Sequence, residues 1–239
     1  MKKASSEFGA RFADIHPLIL TFAVLSTVGM NLLANKSIDT GLSWLALDCG
    51  ILFSWLAFLS MDVATHCYGP RVATQMSLVA LALNLMMVAV FFVASIVPGV
   101  WGESFVDGSE AIINQALDNT FGGTWFIILG SSIAYAVSAV LNNFLNWAIG
   151  ERLGEGGFGV FAARSYVSTF LAQFADNITF ALLVSRMFFG WTLLQCVTCA
   201  ITGAVLELLF EVFFSPVGYR ISQGIKADRA RVGEAAYSL

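Results

Sequence analysis

An apolar run from Arg164 to Met187 is long enough to cross a bilayer, whose hydrocarbon core takes roughly 20 helical residues. Inside it stand Ser168, Gln173, Asp176 and Asn177. A carboxylate and an amide one turn apart in a membrane helix are costly unless they face a partner or a watery cavity. This stretch therefore constrains what the rest of the chain must supply. On a helix, Ser165, Thr169, Ala172, Gln173 and Asp176 share one face, because residues three and four apart are neighbours. Either these groups hold helices together or they line a polar site.

A related pattern lies upstream. Asn143-Phe144-Leu145-Asn146 parallels Gln173-Phe174-Ala175-Asp176 as polar-Phe-x-polar, and Ser138 and Ser168 precede the two units at the same offset. Repeated polar helices in membrane carriers meet near the midplane and enclose a small molecule there. The expectation is an all-α membrane protein in which helices four and five form a polar pseudo-repeat.

Composition agrees. The 239 residues are 58% hydrophobic and 12% charged, and mean hydropathy is +0.79, values that belong to membrane proteins. Outside the short C-terminal tail there is no basic stripe to bind nucleic acid. Cys196 and Cys199 form a C-x-x-C within an apolar helix and lack a second pair, so they read as small apolar residues, as do Cys49 and Cys67.

Six transmembrane spans are expected: Pro17–Ala34, Leu42–Met61, Ala73–Val97, Thr124–Gly150, Arg164–Met187 and Trp191–Ser215. They form a transporter-sized domain over 17–215, flanked by segments 1–16 and 216–239. The first run is too long for a signal-peptide core and lacks a small-x-small cleavage pattern, so it reads as a span. Lys2, Lys3, Arg11, Arg71, Arg152, Arg164, Arg220, Lys226, Arg229 and Arg231 fall on one side of this arrangement, and only Lys36 and Arg186 on the other. The positive-inside rule puts both termini, and both flanking segments, in the cytoplasm. The 98–123 connection carries Glu103, Asp107, Glu110 and Asp118 without Lys or Arg, which suits the outer side; its Ser109–Asn119 part reads as an amphipathic helix or a solvated loop.

No P-loop, HExxH or G-x-S-x-G is present. With neither a nucleophile–base pair nor a metal cluster, the expectation is no enzyme, no cofactor and no metal. Asp62-x-x-x-His66-x-Tyr68-Gly69-x-Arg71 closes the second span. It reads as interfacial anchors or as a cytoplasmic gate, in which Asp62 bonds His66 or Arg71 and His66 senses protons. On the fourth span, Ser131, Tyr135, Ser138, Asn142 and Asn146 make one polar stripe with Asn143 at its edge. In the last span, Glu207 is deep enough to pair with Arg186 or carry a proton, whereas Glu211 is expected near the interface, in solvent.

Asn and Gln amides offer a donor beside an acceptor, and a carboxylate accepts two parallel N–H bonds. That combination suits the edge of a guanine-like base, with Phe144, Trp147, Phe170, Phe174 and Phe180 available as walls, since aromatics commonly stack on flat heterocycles.

Three stretches resemble the queuosine precursor transporter family, also called the vitamin uptake transporter-like (VUT) family. Met61–Gly69 is similar to its TD-x-x-x-E/R-x-Y/F-G segment, and Ser168–Phe180 to its ST-x-x-x-Q/N-x-x-D-x-x-x-F segment. Asn143-x-x-Asn146, followed by Arg152-Leu153, falls where the family has Q-x-x-D and a basic residue. The resemblance runs from about residue 17 to 215. It implies import of 7-deazaguanines (preQ0, preQ1 or queuine) across the cell inner membrane for tRNA modification. By position it makes Gln173 and Asp176 ligand-binding and Asp62 a gating residue. Together with the polar stripe, the binding set is Asn142, Asn143, Asn146, Ser168, Gln173, Asp176, Phe144 and Phe174, and the gating or coupling set is Asp62, His66, Arg71 and Glu207. Asn143 and Asn146 stand where Gln and Asp are usual, Met61 replaces Thr, and His66 replaces Glu or Arg. One carboxylate fewer should favour a neutral precursor over the cationic preQ1. The expected partners are the lipid bilayer and the small molecule, not nucleic acid; a homodimer is compatible with six spans. The alternatives are a carrier for another flat heterocycle and the substrate-capture subunit of an ATP-driven (ECF-type) vitamin importer. The importer reading would need small residues spaced four apart on the first helix for docking, and Ala10, Ala13 and Gly29 do not form such a surface.

Overall fold

A computed structural model describes residues 15–34, 36–42, 44–45, 47–99, 106, 108–122, 125–154 and 156–237. In chain order the elements are α1 (Pro17–Leu33), β1 (Ser37–Ile38), β2 (Leu47–Asp48), α2 (Ile51–Tyr68), α3 (Pro70–Ser95), α4 (Glu110–Gly122), α5 (Trp125–Leu153), α6 (Phe158–Phe180), a π turn (Ala181–Ser185), α7 (Arg186–Phe189) and α8 (Leu193–Tyr237). Among the described residues, five helices are long and apolar enough to cross a bilayer, and α1 is a shorter apolar helix. At about 1.5 Å per residue, α1 covers about 25 Å. The chain is a multi-pass helical membrane protein.

Proline and glycine place the helix starts. Pro17 and Pro70 occupy first-turn positions, where the missing amide costs nothing. His16 Nδ1 accepts from the Leu18 amide at 3.3 Å. Gly69, at φ 85°, is the whole connection between α2 and α3; a side chain would be strained at that angle.

The second span begins nine residues later than the expected Leu42. The sequence before it forms a small closed loop instead: Ser37 pairs with Asp48 and Ile38 with Leu47, and the Cys49 amide bonds the Lys36 carbonyl at 2.8 Å. Asp39 accepts from the Gly41 amide at 2.9 Å, and Thr40 Oγ1 donates to the Leu45 carbonyl at 2.9 Å. Leu42, Trp44, Leu45 and Leu47 lengthen the apolar run without being helical. The Trp44 carbonyl then receives Thr198 Oγ1 and Cys199 Sγ from α8, so Cys199 has a packing and bonding role. None of the four cysteines forms a disulfide.

The amphipathic helix expected at 109–119 is present as α4, which lies against α3 with Phe121 stacked on Phe91 at 5.1 Å. The last span does not stop at Ser215. α8 runs through Pro216 as one helix of 45 residues, about 68 Å long. Proline cannot donate to the carbonyl one turn back. Ser215 Oγ takes over that role, donating to Val212 O at 3.1 Å, and Tyr166 O–H donates to Ser215 Oγ at 2.6 Å.

α5 packs along α6, and α6 along α8; α2 touches α1, α3, α5, α6 and α8 and is the centre of the bundle. Buried alanines at 57, 64, 73, 139, 172 and 204 let backbones approach, as tight packing in lipid requires. At one end of the bundle the start of α1, the end of α2 and the end of α8 meet. The His16 amide donates to Tyr68 Oη at 3.0 Å, Arg229 lies 4.9 Å over the Tyr68 ring, and Cys67 Sγ contacts the Ser222 carbonyl.

Candidate functional site

Polar residues that would be unaffordable facing lipid are gathered where α2, α5, α6 and α8 meet. At the centre is Asp62, fully buried on α2. Its Oδ1 accepts from Asn142 Nδ2 of α5 at 2.7 Å. Its Oδ2 accepts from Ser165 Oγ and from Thr169 Oγ1 at 3.2 Å, both on α6. Ser165 Oγ also contacts Glu211 Oε1 of α8. Glu211 is fully buried, not in solvent as the sequence suggested. The expected span ends at Ser215, which puts Glu211 near the interface; α8 continues through Pro216, and Glu211 lies inside the bundle.

A second group extends from this centre. Arg164 Nε donates to Asn146 Oδ1 at 2.8 Å, and Asn146 Nδ2 reaches Ser168 Oγ at 3.4 Å. Arg164 Nη1 stands 3.1 Å from His66 Nδ1, whose Nε2 is 3.0 Å from Lys226 Nζ. A guanidinium and an ammonium only donate, and a neutral imidazole has one acceptor nitrogen, so in either tautomer His66 accepts from Arg164 or from Lys226 but not from both. The expected Asp62–His66 and Asp62–Arg71 contacts are replaced by these. Asp62 looks into the bundle, His66 is held by Arg164 and Lys226, and Arg71 is exposed at the end of it.

A third group joins α2, α3 and α5: Thr65 Oγ1 donates to Asn143 Oδ1 at 3.2 Å, and Asn143 Nδ2 reaches Thr74 Oγ1 at 3.3 Å and Ser77 Oγ at 3.5 Å. Further along, Ser138 Oγ donates to Asp176 Oδ1 at 2.7 Å, tying α5 to α6. Glu207 accepts from Ser54 Oγ and from Asn177 Nδ2, the latter at 3.3 Å. The fourth-span stripe is completed by Ser131 on Asn31 and by Thr27 on Tyr135.

Most of the sequence-predicted residues therefore converge. Asn142, Asn143, Asn146, Ser168 and Gln173 are at most 1% exposed, and Asp62 and Glu207 are buried with them. Asp176 and Phe174 are half-buried on α6. Phe144 does not join them. It is 55% exposed and lines, with Trp147, Tyr68, Arg71 and Arg229, a groove of about 650 Å³ at the end of the bundle.

Two buried amide atoms in the cluster have no hydrogen-bond partner: Asn142 Oδ1 and Gln173 Nε2. One is an acceptor and the other a donor, each leaving a cost of roughly 1–3 kcal/mol for a ligand or water to remove. Arg164 and Glu211 are the residues that sequence reasoning missed. The sequence marks Arg164 only through its charge and orientation, although its place one residue before the Ser165–Asp176 face is a usable signal.

The fold and this occluded polar centre define a polytopic membrane protein built to hold polar groups within the bilayer. Residues 48–221 match the family described as "Putative vitamin uptake transporter", and the chain belongs to that family. No curated protein and no solved structure matches the chain significantly.

Proposed function

We propose that this chain imports queuosine precursors, 7-deazaguanines such as preQ0, preQ1 or queuine, across the cell inner membrane. The substrate site lies between α5 and α6, and both termini are cytoplasmic. The observation that supports the reading is an unsatisfied buried acceptor on α5, Asn142 Oδ1, and an unsatisfied buried donor on α6, Gln173 Nε2, with Asn142 also bonded to the buried Asp62. A lactam edge of a deazaguanine carries the complementary carbonyl and N–H groups, and burial makes each such bond selective. Membership of a vitamin uptake family supports a small-molecule cargo. The Arg- and Lys-bearing helix ends around Arg71, Lys226 and Arg229 support a cytoplasmic assignment for that face.

The centre is closed, so import requires α5 and α6 to part on alternate sides. The Ser138–Asp176 bond and the Asn142–Asp62 bond are the contacts that a substrate would replace. The test is uptake in cells that neither make queuosine precursors nor carry an importer for them, with each of the three compounds supplied at low concentration and queuosine measured in tRNA. Rescue by at least one compound, lost in Gln173→Ala and Asp176→Asn with normal membrane insertion, is the expected result. Normal transport in both variants would remove the site assignment; no rescue by any compound would remove the substrate.

A further inference from the structure

Ser165 Oγ touches two carboxyl groups at once, Asp62 Oδ2 and Glu211 Oε1. A serine hydroxyl has one hydrogen and can donate to only one of them. The other contact holds only if that carboxyl carries a hydrogen and donates it to Ser165 Oγ. The donor inventory says which one. Asp62 already receives Asn142 Nδ2 and Thr169 Oγ1 besides Ser165, the environment of a carboxylate. Glu211 has Ser165, Thr169 and Asp62 itself beside it, so it shares both hydroxyls with Asp62 and receives no amide of its own, and its second oxygen, Oε2, is buried without a partner. Charge gives the same assignment. Arg164 is the cation that acts on Asp62, and one cation offsets one carboxylate. A second buried negative charge without a counter-ion is several kcal/mol unfavourable in a membrane interior.

We propose that Glu211 and Asp62 form a one-proton site bridged by Ser165, with the proton on Glu211, and that its loading and release are coupled to substrate import. The proton moves by exchange of hydrogen bonds: Glu211 gives its hydrogen to Ser165 Oγ as Ser165 gives its own to Asp62 Oδ2, and no covalent bond other than O–H changes. The coupling follows from position. Asn142 holds Asp62 with its nitrogen and leaves its oxygen unsatisfied. A ligand that takes Asn142 weakens the carboxylate form of Asp62 and draws the proton across. The nearby ionisable groups on the packed elements are Arg164 on α6, His66 one turn beyond Asp62, and Glu207 one turn before Glu211; farther off, Asp176 on α6 is bonded to Ser138, Lys226 on α8 stands beside His66, and Glu151 on α5 acts on Arg164. Glu207 is held separately by Ser54 and Asn177.

The coupling rests on the transport reading above; the proton itself does not, and two measurements separate them. In purified full-length protein in lipid nanodiscs, infrared spectroscopy should show a carboxylic-acid C=O band that shifts in D₂O. The band should be lost in Glu211→Gln and kept in Glu207→Gln. Replacing the carboxyl of Glu211 by an amide preserves its shape, and size-exclusion elution verifies folding. A missing band, or one that survives in Glu211→Gln, overturns the proposal. In proteoliposomes with a pH dye in the lumen, entry of preQ0, preQ1 or queuine should acidify the lumen, and Glu211→Gln should abolish that acidification. Uptake without acidification, or uptake that follows a sodium gradient instead, overturns the coupling. If none of the three compounds enters, the substrate reading fails and the infrared band alone decides the proton.

Discussion

Arg164 lies across the backbone of Gly150: a Cβ built at residue 150 would stand 2.6 Å from Arg164 Cζ. The guanidinium is not free to move aside, because it is bonded to Asn146 and His66. Gly150→Ala should therefore lower stability by about 1–3 kcal/mol, the usual cost of overpacking. Gly159→Ala is the control, since a Cβ there meets nothing within 4 Å and alanine is the better helix former by about 1 kcal/mol. Thermal unfolding in detergent should place the two variants on opposite sides of wild type. Equal melting temperatures would mean that Arg164 does not hold the position described.

Ser215 and Pro216 form a second stability test. Ser215→Ala leaves the Val212 carbonyl without its donor, at a cost of about 1 kcal/mol. In a Pro216→Ala background the helix supplies its own amide, so Ser215→Ala should cost much less there. A double-mutant cycle on unfolding reads this coupling directly; additive effects would disprove the substitution of hydroxyl for amide.

Asn146 accepts from Arg164, so Asn146→Asp should be accommodated. An ionised acceptor strengthens that bond but shares the cation that offsets Asp62, so the melting temperature should stay near wild type, whereas in Asn146→Leu, which orphans Arg164, stability should fall by about 3 kcal/mol. In uptake competition the Asp variant should move preference towards the cationic preQ1 over preQ0. An unchanged preference would remove Asn146 from the substrate's surroundings.

Phe144→Ala tests whether the groove at the helix ends belongs to the site. Phe144 points away from the polar centre and towards Trp147. Its truncation should leave precursor uptake near wild type under conditions where Gln173→Ala abolishes it. Equal losses in the two variants would make the groove part of the path.

The sequence and the structure agree where the signal was chemical and part company where it was a boundary. The Ser165–Asp176 face was legible because i, i+4 spacing survives in any straight helix, and the polar stripe from Ser131 to Asn146 was legible for the same reason. Which partners these groups choose was not. Asp62 and His66 sit one turn apart, yet they do not bond each other: Asp62 is held from α5 and α6 and His66 meets Arg164 of α6 and Lys226 of α8, and nothing in the spacing of one helix encodes its neighbours' register. The apolar count across Leu42–Leu47 could not distinguish a membrane helix from a loop packed on α8 through Trp44. The expected last span ends at Ser215, and the Ser215 hydroxyl bonded to the Val212 carbonyl accounts for the helix continuing through Pro216. A span that stops at Ser215 leaves Glu211 at the surface, whereas the continuous helix brings it to share Ser165 with Asp62.

The length of α8 has a mechanical consequence. About 30 Å of helix lies beyond Pro216, so the missing backbone bond divides the rod into an inner arm carrying Glu211 and an outer arm carrying Lys226 and Arg229. A bend of about ten degrees at that joint would swing the far tip by roughly 5 Å. The outer arm is clasped by His66 and Tyr68, which belong to the same helix as Asp62. Together the two helices make a pair of tongs with its pivot at Ser215, and a displacement of Glu211 at one end is felt as a changed grip at the other.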